Sequence, residues 1–375
     1  MGLTQLRLSH FRSYAHLHFE CDPRPVVLTG HNGAGKTNIL EALSFLSPGR
    51  GLRGIKSSEA LHINAQGEVA SSWAVATVLA QAHGPIAIGT GLDTQQEHER
   101  RVVHINKTPV KSKADLTRYV NILWLTPQMD RILSDGVVAR RRFLDRLVYS
   151  LDSTHAARIL RYEHVMRERM RLLKSSWSSE RSWLTALEQK MAAEGIALTA
   201  ARLQTVATLT QAREWSLGIF PKAGLVLEGD CERDLAQGSA LEAEDKLIFA
   251  LAKSRSADSE SGRTLVGPHR SDLKVTFIEK NIPAEQCSTG EQKALLTSII
   301  IAASRLQALR GEAVPLILLD EVMAHLDEVR RHALFTEILN LKMQTWMTGT
   351  DPRLFKDFKD QIQHFEIADS TLKRL

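Results

Sequence analysis

Cysteine is scarce. Cys21, Cys231 and Cys287 are the three in 375 residues, far apart and odd in number, with no C-x-x-C pair. Neither a disulfide framework nor a zinc site can be read from them. The 14 histidines include no H-E-x-x-H, which removes that metalloprotease pattern. No run of about 18 consecutive apolar residues occurs, so no membrane-spanning segment is expected. The opening MGLTQLRLSHFRSY lacks the apolar stretch of a secretory signal, and Leu6 stands where a myristoylation motif wants Ser or Thr. These absences lead to the expectation of a cytoplasmic protein without membrane contact. Internal repeats and low-complexity tracts are also missing.

What is present is ordinary in bulk: 43% hydrophobic and 24% charged residues, as in a folded globular chain. The length exceeds what one core usually serves, so two domains are expected. A net charge of +5 is a weak pointer to an anionic partner. The period of the hydrophobic pattern divides the chain. Strand-like alternation runs through Leu3–Leu8, His16–Glu20, Val69–Gln81, Ile86–Leu92 and Arg101–Asn106, with Asn106-Lys107 as a turn, and the apolar Pro25–Thr29 and Asn121–Leu125 read as buried strands. From Asp130 to about Glu214 the period is helical. Leu225–Glu228 reads as a strand, Ala240–Ser254 as a helix, and the small polar residues Ser256–Gly262 as a loop. Strands and helices then alternate: strands Arg263–Val266, Leu273–Ile278, Leu316–Leu319 and Thr345–Thr348, helices Ser288–Leu309 and Asp327–Leu339. The expected fold is α/β, a layered domain made from both chain ends (1–128 and 263–375) with a mostly helical insert (129–262).

Gly30-His31-Asn32-Gly33-Ala34-Gly35-Lys36-Thr37 matches G-x-x-x-x-G-K-[ST]. The glycines let backbone N–H groups turn inward as an anion nest. A helix starting at Gly35 or Lys36 adds the positive end of its dipole. Lys36 would reach the β and γ phosphates of ATP, and the Thr37 hydroxyl would ligate Mg²⁺. At average composition, about 1% of chains this long match by accident. The apolar Val26–Leu28 before the motif and the helical Ile39–Leu43 after it supply the strand–loop–helix setting that turns the match into an expectation of ATP binding. A glycine-rich turn that binds nothing is the competing reading.

Val314–Leu319 is an apolar run ending in Asp320-Glu321, as a buried parallel strand would be. Asp320 would then stand beside the phosphate loop to hold Mg²⁺, with Glu321 as general base for water. An acid at a strand end is commonplace; its weight here comes from Lys36.

Ser288-Thr289-Gly290-Glu291-Gln292 resembles the signature segment of ABC-type ATPases. It also reads as a plain helix N-cap, which is compatible. The resemblance implies that Ser288, Gly290 and Gln292 bind the γ-phosphate of a nucleotide held by another subunit. Three further segments fall in the order of that superfamily: Thr126-Pro127-Gln128 looks like the Q-loop, placing Gln128 near metal and water. Ala324–Asp327 looks like the D-loop, and Thr348 occupies the switch position. Composite sites of this kind imply an ATP-dependent homodimer. Within the ABC/SMC superfamily the chain resembles the RecF family, through Phe11-Arg12-Ser13-Tyr14, Leu125–Gln128, Arg141-Arg142-Phe143-Leu144-Asp145 and Gly267-Pro268-His269-Arg270. Two departures touch no phosphate-binding atom: Ser271 intervenes before Asp272, and Cys287 precedes Ser288 where Leu is commoner.

That resemblance implies a DNA replication and repair function. Its elements are ATP-dependent DNA binding at single-strand gaps, cooperation with RecO and RecR to load RecA, support of the SOS response, and weak, DNA-stimulated ATP hydrolysis used mainly as a dimerisation switch. Independently, ten Arg or Lys against four acids give the stretch Arg140 to Lys174 a charge of +6. Arg140, Arg141, Arg142, Arg161 and Arg167 are candidate contacts to DNA phosphates. A solvated helical face, or anchorage of the insert, explains the same charge equally well. Rival assignments lack support. A transporter subunit would carry a switch His and no insert, an SMC protein needs long heptad arms, and a metabolite kinase needs no Ser288–Gln292 segment. A nucleotide-gated scaffold with incidental hydrolysis stays open.

Overall fold

The structure is a computed structural model that describes residues 2–81, 84–93, 100–175, 181–212, 218–310, 314–368 and 370–375. It divides into two compact units: Met1–Asp130 with Trp215–Phe220 and Leu296–Leu375, and Arg131–Glu214 with Pro221–Leu295.

Two sheets build the first unit. One is antiparallel, ordered β2 (Tyr14–Glu20), β1 (Gly2–Phe11), β4 (Ala74–Gln81), β5 (Gly84–Asp93), β6 (Arg100–Ile105), β7 (Thr108–Pro109). Alternation sets its faces: Leu6 and Leu8 are buried while Arg7 between them is exposed. Asn106 and Lys107 turn the β6–β7 hairpin with φ of 49° and 66°, as a tight hairpin turn needs. The other sheet is ordered β15 (Thr371–Arg374), β14 (Gln363–Ala368), β3 (Val26–Thr29), β13 (Thr345–Gly349), β12 (Leu316–Leu319), β8 (Ile122–Leu125). Its strands run parallel except β15. Every residue of β3, β8, β12 and β13 is buried, which is why Val26–Leu28, Ile122–Leu125 and Leu316–Leu319 read as unbroken apolar runs. Helices α1 (Lys36–Ser44), α9 (Glu328–Asn340) and the part of α8 (Thr289–Leu309) from Leu296 onward complete the unit.

The second unit contains α2 (Val137–Leu151), α3 (His155–Lys174), α4 (Arg181–Ala212), α5 (Asp230–Gln237), α6 (Ala240–Lys253) and α7 (Arg255–Ser261). A small antiparallel sheet joins them, β11 (Ile282–Pro283), β10 (Asp272–Phe277), β9 (Ala223–Glu228). Tyr162, Val165, Met191, Ile196, Leu247 and Leu251 lie in its core. The helical expectation over 176–180 and 213–214 falls outside the described residues.

Three expectations are corrected here. Residues 263–295 belong with the helical unit, because β10 pairs along its whole length with β9, Asp272 against Glu228 through Phe277 against Ala223. Ser256–Gly262 is not a loop: helix α7 covers it to Ser261. Asp258 in that helix is fully buried, accepting from Arg169 Nη1 at 2.6 Å. Arg263–Val266 is not a strand. Its backbone groups go elsewhere: Leu265 N donates to Asp258 Oδ1 at 2.9 Å, and Thr264 O bonds His269 Nε2 at 2.8 Å.

Candidate nucleotide-binding site

Strands β3, β13, β12 and β8 lie side by side and parallel, so their carboxyl ends open on one edge. Open α/β sheets bind ligands there. The edge gathers Gly30–Thr37 after β3, Thr348 near the end of β13, Asp320 and Glu321 after β12, and Thr126–Gln128 after β8.

In the loop after β3, Gly30, Gly33 and Gly35 all adopt positive φ, 149°, 84° and 104°. Gly35, with φ +104°, leads directly into α1. A Cβ there would sit 2.7 Å from the Tyr14 hydroxyl and 2.9 Å from Ser13 Oγ, so glycine is required twice over. Lys36 and Thr37 open the helix, where N–H groups have no intrahelical acceptor. The buried Lys36 ammonium donates to Gly30 O at 2.7 Å and His31 O at 2.8 Å, closing the loop on itself. Burial pulls the Lys36 ammonium below the ordinary lysine value; Glu321 and Asp320 oppose that pull. His31, Asn32 and Gly33 are exposed at the loop tip, and Ala34 is buried.

Asp320 is the hub of the edge. Its Oδ1 accepts from the Thr37 hydroxyl at 2.9 Å and from the Thr348 hydroxyl at 2.7 Å. Thr348 in turn accepts from Glu321 N at 2.9 Å. Glu321 adopts φ +54°, an uncommon conformation for a non-glycine residue, of the kind that concentrates at functional sites. The donor set is oxygen only, one carboxylate and two hydroxyls beside the glycine-rich loop. That set suits Mg²⁺, which takes one or two carboxylates and completes its shell with water and substrate phosphates. No cluster of three or more His, Cys, Asp or Glu that could cage a metal alone occurs among the described residues.

The remaining predicted residues divide. Gln128 is exposed in a short turn after β8, whose last residue Leu125 accepts from Asp320 N at 2.9 Å. Asp327 caps α9, accepting from Arg330 N at 2.8 Å. Both therefore stand in the unit that carries the phosphate loop. Ser288, Gly290 and Gln292 stand in the second unit. There Ser288 and Glu291 form a reciprocal cap: Ser288 N donates to Glu291 Oε2 at 2.8 Å, and Glu291 N to Ser288 Oγ at 3.3 Å. A side-chain bond from Lys280, with the Ser288 donors, draws the Glu291 carboxyl down to about 2. Gly290 is exposed with open space where a Cβ would be, while Gln292 is buried and donates to Cys287 O at 3.0 Å.

Residues 2–372 match the RecF/RecN/SMC N terminal domain family. The chain is 43% identical over 369 residues to the DNA replication and repair protein RecF of Rhizobium meliloti (strain 1021), covering 98% of this chain and 97% of that one. It belongs to the RecF family. A second RecF relative, from Agrobacterium fabrum (strain C58), is 44% identical over 370 residues, 98% of this chain and 97% of its own. Among solved structures, RecF-ATP of the RecFOR pathway superposes with a TM-score of 0.84 at 23% identity, over 100% of this chain and 97% of that one. An Smc head domain from Pyrococcus furiosus gives 0.58 at 15%, over 100% and 96%. Both share the α/β ATPase-head fold.

The RecF-like FRSY segment has a structural explanation that the sequence did not offer. Arg12 forks onto the fully buried Glu41 of α1 at 2.9 and 3.0 Å, and Arg53 reaches the same carboxylate at 2.7 Å. Phe11 packs edge-on to Phe45 and Trp73. The buried Tyr14 hydroxyl donates to Gly35 O at 3.2 Å, and Ser13 Oγ accepts from Asn38 at 3.0 Å. The segment thus braces the phosphate loop and its helix. Glu41 and Arg53 were missed; a lone acid on an apolar helix is the only signal the sequence carries.

The arginines of this RecF-family chain do not behave as one patch. Arg140 is buried, bonded to Asp272 at 2.7 and 3.0 Å, and Arg141 donates to Ser271 O at 2.8 Å. These bonds are internal: Asp272 opens β10, and Ser271 immediately precedes it. Arg161 is paired with Glu194 at 2.5 Å. Arg142 and Arg167 remain exposed, Arg167 with Glu163 at 3.8 Å.

Proposed function

We propose that this protein binds ATP with Mg²⁺ at the strand-end site and uses it to clamp on DNA as a homodimer, acting in cytoplasmic DNA replication and repair. The carrying observation is Asp320, held by Thr37 and Thr348 beside a phosphate loop that Lys36 closes. Lys36 and the loop N–H groups bind the phosphates, while Thr37 and Asp320, with Gln128 nearby, hold the metal. Bound Mg²⁺ would neutralise charge on the phosphate oxygens. Glu321 takes the proton of the attacking water. Ser288, Gly290 and Gln292, with Asp327, serve the nucleotide of the other copy, so ATP favours the dimer by being held from both sides. The exposed, uncrowded Gly290 at the start of α8 supports that role. Family membership supports the rest of the reading: preference for single-stranded and gapped duplex DNA, partnership with RecR and RecO in loading RecA, a part in the SOS response, and weak hydrolysis.

Two measurements test it. ATP turnover with and without gapped duplex should rise with DNA and vanish in Lys36→Ala. Turnover unmoved by DNA would end the clamp reading. Sedimentation of Glu321→Gln should show a dimer under saturating ATP; a strict monomer would overturn the composite site.

A further inference from the structure

The second unit carries a cavity of about 610 Å³ that the ATPase reading does not use, within the range of about 300–1,000 Å³ typical of small-ligand sites. Helix α3 forms one wall. Arg167, Arg171 and Lys174 follow at i, i+4 and i+7, and Met166 and Met170 form the adjoining stripe. Arg263 and Arg270 line the cavity as well. Five cations line it and no acid does.

Two of these cations have acids behind them, Arg167 with Glu163 at 3.8 Å and Arg171 with Glu168 at 3.3 Å. Lys174, Arg263 and Arg270 are exposed and have no ion pair among the described residues. His269, also in the lining, adds no charge. Its Nε2 donates to Thr264 O at 2.8 Å, which leaves Nδ1 to accept from the Tyr162 hydroxyl at 2.7 Å. Burial keeps this imidazole neutral, and the nearby Arg141 and Arg270 add to that effect. A second cavity shares Met166 and His269 with the first, and there Arg141, Arg142 and Arg202 are accompanied by the acids Asp145 and Glu163, so the acid-free lining belongs to the first cavity alone.

Three cations without ion pairs among the described residues, Lys174, Arg263 and Arg270, beside an apolar floor fit a ligand with an anionic group and a flat apolar face. Methionine thioethers make favourable contacts with aromatic rings, and exposed arginine and lysine suit phosphate. We propose that this cavity binds a nucleoside phosphate, the phosphate held by Lys174, Arg263 and Arg270 and the base laid against Met166 and Met170. The same chemistry comes from a free nucleotide or from an unpaired residue of a nucleic-acid strand. All lining residues belong to the second unit, so the site is additional to the phosphate loop and does not rest on the ATPase reading.

Methyl-¹³C-methionine NMR on the full chain, without ATP or Mg²⁺, reads the floor directly, with Met166→Leu and Met170→Leu to assign the two signals. Titration with dTMP and with a (dT)₈ oligonucleotide should shift both signals through the ring current of the base and leave the remaining methionines in place. Shifts with dTMP identify a free nucleotide as sufficient; shifts with the oligonucleotide alone identify a strand. The exposed pair Lys174→Gln with Arg263→Gln should weaken the effective probe about tenfold. With the oligonucleotide it should flatten the slope of log K against log salt by about 1.4, at about 0.7 per phosphate contact. Unmoved Met166 and Met170 signals with both probes, or unchanged affinity in the double variant, would overturn the site while leaving the phosphate-loop reading intact.

Discussion

Thr348 shows how much one hydroxyl does at the strand-end site. It donates to Asp320 and receives the Glu321 amide, so it fixes both acids. Thr348→Val leaves a buried carboxylate short of a donor, worth about 1.5–3 kcal/mol. Turnover should fall tenfold or more while ATP affinity changes little, measurable by steady-state kinetics beside a nucleotide-binding titration. A second residue makes a pH prediction. Burial alone would raise the Asp145 carboxyl, but Arg202 at 2.8 Å and His155 at 2.9 Å hold it at about 2. A folded value below the unfolded one means the unfolded chain binds more protons in between, so stability rises with pH there. The contribution, about 2 kcal/mol by linkage, is complete above about pH 4 and lost as pH falls to about 2. Chemical denaturation across that window should show the slope, and Asp145→Asn should flatten it.

At the scale of elements, buried charge networks tie helices together. Arg169 of α3 bonds Glu188 of α4 at 3.0 Å, Asp258 of α7 at 2.6 Å and Leu251 O of α6 at 2.7 Å, with all three charged side chains fully buried. Removing one partner from such a cluster strands the others, costing about 3–5 kcal/mol. Arg169→Leu should lower the stability of the helical unit by that order in urea denaturation. In the first unit the partly exposed Arg12 and Arg53 hold the buried Glu41 of α1, and Glu41→Leu should both destabilise that unit and weaken ATP binding, because α1 carries Lys36 and Thr37. These ties explain two limits of the sequence. Ser256–Gly262 reads as a loop by composition, yet Asp258 is the acceptor that Arg169 requires. The charge around Arg140 fits a phosphate-binding surface and an internal anchor equally well by sequence, and the partner that makes Arg140 an anchor, Asp272, lies more than a hundred residues away.

For the whole molecule, the C-terminal strands matter more than their sequence suggests. Gln-His-Phe-Glu-Ile-Ala is not an apolar run, but β14 pairs in parallel with β3. The buried Gln363 is accommodated by donating to Asp22 O at 3.0 Å and Arg24 O at 3.1 Å. A Cβ on Gly30 would meet Ile367 O at 2.3 Å, so the phosphate loop starts against this strand. Deleting residues 363–375 keeps every nucleotide motif, yet it should abolish binding of a fluorescent ATP analogue and lower the melting temperature. Retained affinity would show that β3 holds the loop without β14.

The sequence by itself determined which residues make up the proposed strand-end site. A glycine-rich loop and an apolar strand that ends in acids are local patterns, and fully buried strands such as Leu316–Leu319 announce themselves. Tertiary structure decided everything that depends on distant pairing. Which arginines face solvent, why FRSY braces the loop, that residues 263–295 belong to the helical unit and that a polar strand completes the sheet all follow from partners far away in the chain. A buried charge or amide is tolerated only where such a partner meets it, and no local window contains both halves of that pair.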